Sequence, residues 1–269
     1  AIVAGMEKSQ QNEPDAALTD FGFRQVPTRQ KQALVRDVFD TVAARYDLMN
    51  DLMSGGLHRV WKRRLVEVLF LRRNPAREHM QMADIAGGTG DIAFRAMRAA
   101  ARLSTPLNVQ VIDANTEMLH VGAKRAVSEK NAKNVSFITG NAEHLPLADN
   151  SLDIYTISFG IRNVTNRTNV LAEALRVLKP GGRFVCLEFS HMRSALLTRA
   201  YDAYSSRVIP PLGELVTGDA GPYQYLVESI RQFPRAEAFA DEVRVAGFSR
   251  VAIERLSGGL ATLHSCWKV

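Results

Sequence analysis

The apolar run Met82–Ala86 leads straight into Gly87, Gly88 and Gly90, and the helix-spaced stretch Ile92–Arg102 follows at once. A strand, a glycine turn and a helix in that order open a parallel βαβ unit. The three glycines carry no Cβ, so a ligand can approach the backbone of the turn closely. The helix that follows presents unpaired N–H groups and the positive end of its dipole. In open α/β sheets this turn lies at the carboxyl edge of the sheet, where ligands bind.

The rest of the chain keeps the same rhythm. Val109–Ile112, Val135–Thr139, Ile154–Ser158 and Arg183–Phe189 read as strands. Thr116–Lys130, Val170–Leu178 and Ala236–Ala246 read as helices, and Lys179-Pro180-Gly181-Gly182 reads as a helix stop. Arg250–Leu256 and Leu260–Val269, parted by Ser257-Gly258-Gly259, read as a terminal hairpin. The fold class expected is therefore α/β with a mostly parallel sheet. Residues 1–28 are polar and aperiodic and read as a mobile N-terminal arm. Residues 29–269 read as a single domain. A helical lid covers 29–71, with one helix over Arg29–Met49 and another over Leu57–Leu71, and a helical insert covers 191–233.

Length and charge narrow the function classes. At 269 residues the chain suits one domain. Cys186 and Cys266 make neither a metal-ligand spacing nor a disulfide framework, so no metal and a reducing compartment are expected. No apolar run reaches the ~18 residues of a membrane span. The net charge of +6 favours anionic partners: nucleic acid, an anionic membrane surface or phosphate-bearing ligands. The charge is scattered, and its densest cluster, Arg59 to Arg64, reads as the solvated face of a helix.

Alone, the glycine turn leaves two cofactors open. Gly88-Thr89-Gly90-Asp91-Ile92-Ala93 also fits the G-x-G-x-x-G/A dinucleotide fingerprint, and Asp113 at the end of the second strand could hold ribose hydroxyls in either case. Three features favour S-adenosylmethionine. Asn141-Ala142-Glu143 follows the third strand, where an adenine would be flanked. The terminal hairpin can add an antiparallel strand, and no second nucleotide-binding half follows. In these respects the chain resembles the class I methyltransferases. That resemblance implies a Rossmann-like three-layer sandwich around a seven-stranded, mostly parallel sheet with an antiparallel C-terminal strand.

Longer motifs narrow the resemblance. Residues 46–61, Tyr46-Asp47-Leu48-Met49-Asn50-Asp51 through Trp61, and residues 176–190, Arg176-Val177-Leu178-Lys179-Pro180-Gly181-Gly182 through Ser190, resemble the two signatures of the UbiE-type ubiquinone/menaquinone biosynthesis C-methyltransferases. Ile157-Ser158-Phe159-Gly160-Ile161-Arg162-Asn163-Val164, between them, is typical of the same family. The resemblance implies that Gly87, Gly88, Thr89 and Gly90 hold the methionine end of S-adenosylmethionine. Asp113 would take the ribose, Asn141 and Ala142 the adenine, and Ser158 would lie near the sulfonium. The implied acceptor is a polyprenylated benzoquinol or naphthoquinol, methylated on a ring carbon. Implied partners are this lipid-soluble quinol, a peripheral contact with the membrane, other proteins of a quinone-biosynthesis complex and a second copy as a homodimer. Nucleic acid is not among them, since the Asn/Asp-Pro-Pro-Tyr pattern of amino-group methylases is absent from the fourth strand. The implied location is the bacterial cytoplasm at the edge of the inner membrane, or the matrix side of a mitochondrion. The alternatives are a non-catalytic subunit of the same assembly, or a methyltransferase for another small aromatic or nucleic-acid substrate.

A ring carbon attacks well only once the neighbouring hydroxyl has lost its proton. The site therefore needs a proton acceptor, directly or through water, and a cation beside the developing phenolate. Arg162, just past the fourth strand, is the candidate cation, or else pairs with a carboxylate. His58 titrates in the range of a base, or else caps and packs a helix start. Tyr46 shares a helix face with Asn50 and is a third catalytic candidate, or else packs its helix on the domain. Phe159, Asn163, Tyr201 and Tyr204 are the candidates for the quinol side, the aromatic ones being equally suited to a core.

Overall fold

The computed structural model describes residues 18–42, 46–69, 79–209, 211, 214 and 219–269. Of the expected arm, residues 1–17 lie outside the described residues, but its last part is ordered by pairing. β1 (Leu18–Phe21) and β2 (Arg24–Pro27) form an antiparallel hairpin that turns at Gly22, φ +57°. Phe21 is buried and stacks on Tyr225 with ring centroids 4.3 Å apart. The N–H of Phe23 donates to Glu228 Oε2 at 2.9 Å. Four-residue strands with one buried side chain give too weak a periodicity for sequence to separate from coil.

The helices over the front of the molecule are α1 (Thr28–Val42), α2 (Tyr46–Ser54) and α3 (His58–Glu67). The single helix expected over Arg29–Met49 is thus described as two, with residues 43–45 outside the described set. Behind them lies one sheet of seven strands: β3 (Met80–Ile85), β4 (Leu107–Asp113), β5 (Val135–Thr139), β6 (Leu152–Ser158), β7 (Leu178–Phe189), β8 (Ser249–Leu256) and β9 (Ala261–Trp267). Its order is β5-β4-β3-β6-β7-β9-β8, parallel throughout except that β9 runs against β7 and β8. The three-layer class and the antiparallel terminal strand are as expected.

Period-two alternation assigns the two faces. Met82, Ile154 and Val185 point into one core with α3 and with α4 (Asp91–Arg102). Their neighbours Ala83, Tyr155 and Cys186 point into a second core with α6 (Arg167–Val177) and α9 (Ala236–Val245). Further helices among the described residues are α5 (Thr116–Ser128), α7 (Ala195–Arg207) and α8 (Gly221–Gln232).

The glycine stop after α6 differs from expectation. β7 begins at Leu178, and its pairing with β6 jumps from Leu152–Leu178 to Ile154–Arg183. Residues 179–182 stand there against Asp153 alone, and Lys268, just past β9, holds them: Gly181 N–H donates to Lys268 O at 2.8 Å, and Lys268 N–H to Gly182 O at 3.0 Å. The Pro-Gly-Gly chemistry read as a helix terminus also makes a bulge.

From β3 the chain moves outward to β4 and β5, then returns to the other side of β3 with β6. The carboxyl ends of β3 and β6 therefore flank a topological switch point, the place where an open α/β sheet leaves a crevice.

Candidate functional site

A cleft opens at that switch point. The glycine loop, the ends of β4 and β6 and the turn after β5 form its walls, and Gln32, Arg36 and Phe39 of α1 cover it. The loop leaves β3 through left-handed backbone at Ala86 (φ +50°), Gly88 (φ +52°) and Gly90 (φ +76°). A Cβ on Gly87 would stand 2.7 Å from Asp84 O and 2.8 Å from Val111 Cγ1, so the loop rests directly on the sheet.

Asp113 joins this loop to β4. Its Oδ2 accepts the N–H of Gly88 and its Oδ1 the N–H of Asn115, both at 2.8 Å. Burial raises the proton affinity of Asp113, and these N–H groups oppose the rise. Asn115 caps α5 by accepting the N–H of Met118 and donates its amide to Asp40 Oδ1 of α1 at 2.7 Å. The cover helix is thereby tied to the wall beneath it. Asn141 Oδ1 accepts the N–H of Glu143 at 2.9 Å, and Glu143 Oε1 accepts the N–H of Thr165 at 2.8 Å. Thr89 is buried and accepts from Arg125 Nη1 at 3.1 Å.

Three polar atoms of the cleft residues are buried without a hydrogen-bond partner among the described residues: Asp84 Oδ2, Ser158 Oγ and Asn163 Nδ2. Buried polar groups are normally satisfied, so a cluster of such atoms marks a place for a polar ligand. Asp84 Oδ1 accepts from the Thr156 hydroxyl at 2.8 Å, while burial pushes the carboxyl up to about 7. Asn163 Oδ1 accepts from Tyr225 OH at 3.1 Å.

The sequence candidates divide. Gly87, Gly88, Thr89, Gly90, Asp113, Asn141, Ala142, Ser158, Phe159 and Asn163 all line this cleft. Phe159 does so with φ +57°, a costly conformation for a bulky residue. Arg162 does not itself line the cleft, and it meets a carboxylate, the alternative that the sequence left open. It is buried and ion-paired, Nη1 to Glu188 Oε1, at 2.6 Å. Nη1 also donates to Phe159 O at 2.8 Å and Nε to Ser229 Oγ at 3.3 Å, while Nη2 has no partner among the described residues.

His58 is likewise absent from the cleft wall. It is buried at the start of α3 with Nε2 2.9 Å from Asp51 Oδ1. Tyr46 opens α2, but its side chain lies outside what is described. Tyr201 and Tyr204 also stand apart from the cleft: their hydroxyls donate to Met53 O at 3.0 Å and Leu52 O at 2.7 Å, pinning α7 to the end of α2.

Among the cleft residues that sequence reasoning did not single out, Asp84 and Lys62 carry charge into a buried place. Asp84 was legible only as part of the loop, because a strand carboxylate gives no sign of being buried. Lys62 belongs to the Arg59–Arg64 cluster read as a solvated face, yet it is buried and donates to Asp91 Oδ2 at 2.9 Å. Burial favours protonation of Asp91, but Lys62 and Arg95 outweigh it and hold the carboxyl at about 2. Helical phase gave the signal, since Lys62 lies four residues after the buried His58 and three before the buried Leu65.

A switch-point cleft with this glycine loop, on a sheet ending in an antiparallel strand, defines the class I methyltransferases. The model of the ubiE/COQ5 methyltransferase family matches residues 25–268. The chain belongs to that family. It is 56% identical over 253 residues to the ubiquinone/menaquinone biosynthesis C-methyltransferase UbiE of Nitrobacter hamburgensis, covering 93% of this chain and 97% of the relative. The UbiE of Methylobacterium nodulans is 54% identical over 256 residues, covering 95% and 98%. Among solved structures, a SAM-dependent methyltransferase of Aquifex aeolicus superposes with a TM-score of 0.55 at 16% identity, covering 77% of this chain and 89% of that one. Another, from Thermotoga maritima, gives 0.57 at 19% identity, covering 87% and 100%. These structures are alike in fold.

Proposed function

We propose that the chain methylates a ring carbon of a polyprenylated benzoquinol or of demethylmenaquinol, with S-adenosylmethionine as donor. The observation that carries this reading is the trio of unpartnered atoms, Asp84 Oδ2, Ser158 Oγ and Asn163 Nδ2, beside the Asp113-braced glycine loop. Bound there, S-adenosylmethionine supplies a methyl group on a sulfonium. The loop residues Gly87 to Gly90 would hold its methionine end, Asp113 its ribose, and Asn141 and Ala142 its adenine. Asp84 offers a carboxylate to a cationic ligand.

Methyl transfer to carbon needs alignment and a dry site. Phe159 supplies an apolar wall at the end of β6 and packs on Phe189 with ring centroids 4.9 Å apart. Arg162 holds the Phe159 carbonyl and keeps Nη2 for the developing phenolate or for a water beside it, with Glu188 as its counter-ion. The phenolic proton leaves through that water. His58, bound to Asp51 away from the cleft, has no part in this scheme.

Labelled S-adenosylmethionine offered with demethylated benzoquinol and naphthoquinol, side by side under reducing conditions, tests the reading. The expected result is label on a ring carbon of at least one quinol, and no incorporation into either would overturn it.

We further propose a peripheral place on an anionic membrane in the cytoplasm. Among the described residues no helix is long and apolar enough to cross a membrane. The exposed face of α7 sets Leu196, Arg199, Ala203 and Arg207 at helical spacing, and neither arginine has a partner among the described residues. Co-sedimentation with anionic vesicles that weakens with salt is expected. Absence of binding at low salt would remove this part.

A further inference from the structure

A second cavity lies beyond the carboxyl end of β7, between α7 and α8. Met192, Tyr201, Val227 and Ile230 wall it, and Ser190 lies at its inner side. It widens toward Thr198, Asp202 and Arg231, residues it shares with an open mouth that reaches Arg207. Ser190 is 6% exposed, and its hydroxyl has no partner among the described residues. The hydroxyl of Tyr201 is spent on Met53 O, so the ring is what Tyr201 offers a ligand.

The cavity adjoins the acceptor side of the cofactor cleft. Phe159 of the cleft packs on Phe189, the residue before Ser190. Arg162 lies over the Phe189 ring at 5.6 Å and reaches Ser229 of α8. Tyr225 of α8 bonds Asn163 of the cleft. One helix, α8, therefore closes the acceptor side and forms a wall of the second cavity.

We infer that this cavity takes the isoprenoid chain of the quinol, with Ser190 marking the inner, oxygen-bearing end. The inference rests on the quinol reading above. A quinol ring brings oxygen substituents that can satisfy a buried hydroxyl, and an isoprenoid chain is the apolar part that Met192, Val227 and Ile230 can shelter from water. Burial of each methylene improves binding roughly fourfold, so even a short stretch of chain raises affinity strongly. The mouth opens along α7, whose outer face carries the exposed Arg199 and Arg207, so the chain would leave the protein where that face meets lipid.

The test compares two quinols with the same ring, one bearing an isoprenoid tail and one without it. Val227→Phe fills the cavity, and Thr198→Phe obstructs its half-buried mouth if the first variant does not fold. The expected result is a KM rise for the tailed quinol at least about tenfold larger than for the tail-less one, with adenosylhomocysteine affinity retained. Equal changes for both quinols, or no change in a folded variant, overturn the inference. Failure of the unaltered protein to methylate either quinol removes the quinol reading and the inference together, so the two failures are distinguishable.

Discussion

Arg162 Nη1 meets Glu188 Oε1 at 2.6 Å in a fully enclosed pair that spans the turn after β6 and the end of β7. The pair braces the backbone beside the acceptor, because the same Nη1 holds Phe159 O. Burial raises the proton affinity of Glu188, and Arg162 opposes the rise.

Removing one partner strands the other. Arg162→Met leaves a buried carboxylate and is expected to cost about 3–5 kcal/mol in urea unfolding. The double variant Arg162→Met/Glu188→Gln removes both charges and should recover most of that loss. Turnover should stay down roughly 100-fold in both, with adenosylhomocysteine affinity kept. Near-normal turnover in the double variant would assign Arg162 to structure alone.

Asp113→Asn replaces one acceptor oxygen by a donor and sets it against the N–H of Gly88 or Asn115. Loss of a charge-assisted hydrogen bond is worth about 1.5–3 kcal/mol, so calorimetric affinity for adenosylhomocysteine should fall roughly 10- to 100-fold. Unchanged affinity would move the ribose elsewhere.

Gly160 has ordinary negative φ, so its need is for space. A Cβ there would lie 2.5 Å from Ala86 Cβ, on the neighbouring strand end. Gly160→Ala should cost about 1–3 kcal/mol by overpacking. Ala86→Gly in the same chain removes the clash and relieves a left-handed alanine, so a double-mutant cycle on thermal unfolding should show strong coupling. Additive effects would contradict the contact.

Asp84 links stability to pH. Its native value of about 7 lies above the ~3.9 of an unfolded aspartate. Between those values the native protein keeps a proton that the unfolded chain has lost. The contribution is therefore complete below pH ~4 and is lost as pH rises through about 7, on the order of 4 kcal/mol in all. Asp84→Asn stays neutral and should flatten urea midpoints between pH 5 and 8. An unchanged slope would place the titration in another group.

Much of the site was readable from local chemistry. The glycine loop, Asp113 and Asn141 occupy strand ends, and strand ends follow from apolar runs and breakers. Burial and pairing were open in the sequence. Arg162 suits a cation beside the acceptor or a partner of a carboxylate, and His58 a base or a packed helix start; the structure sets each against a carboxylate, Glu188 and Asp51 respectively. Lys62 was read as solvated, but Asp91 draws it inside. Residues 18–27 looked like coil because their partners, Tyr225 and Glu228, lie about 200 residues away.

Sequence by itself determined the alternation of strands and helices, the glycine loop at the first strand end and the family signatures. Each depends on neighbours a few residues apart, through hydrophobic period, turn chemistry or close backbone approach. Tertiary structure alone decided which charges are neutralised, which polar atoms remain unpartnered, and that α8 touches the acceptor side of the cofactor cleft and walls a second cavity. The charge pairs, the unpartnered atoms and the contact of α8 with both cleft and cavity depend on desolvation and on contacts between distant segments, which exist only once the sheet has brought the ends of β3, β6 and β7 side by side.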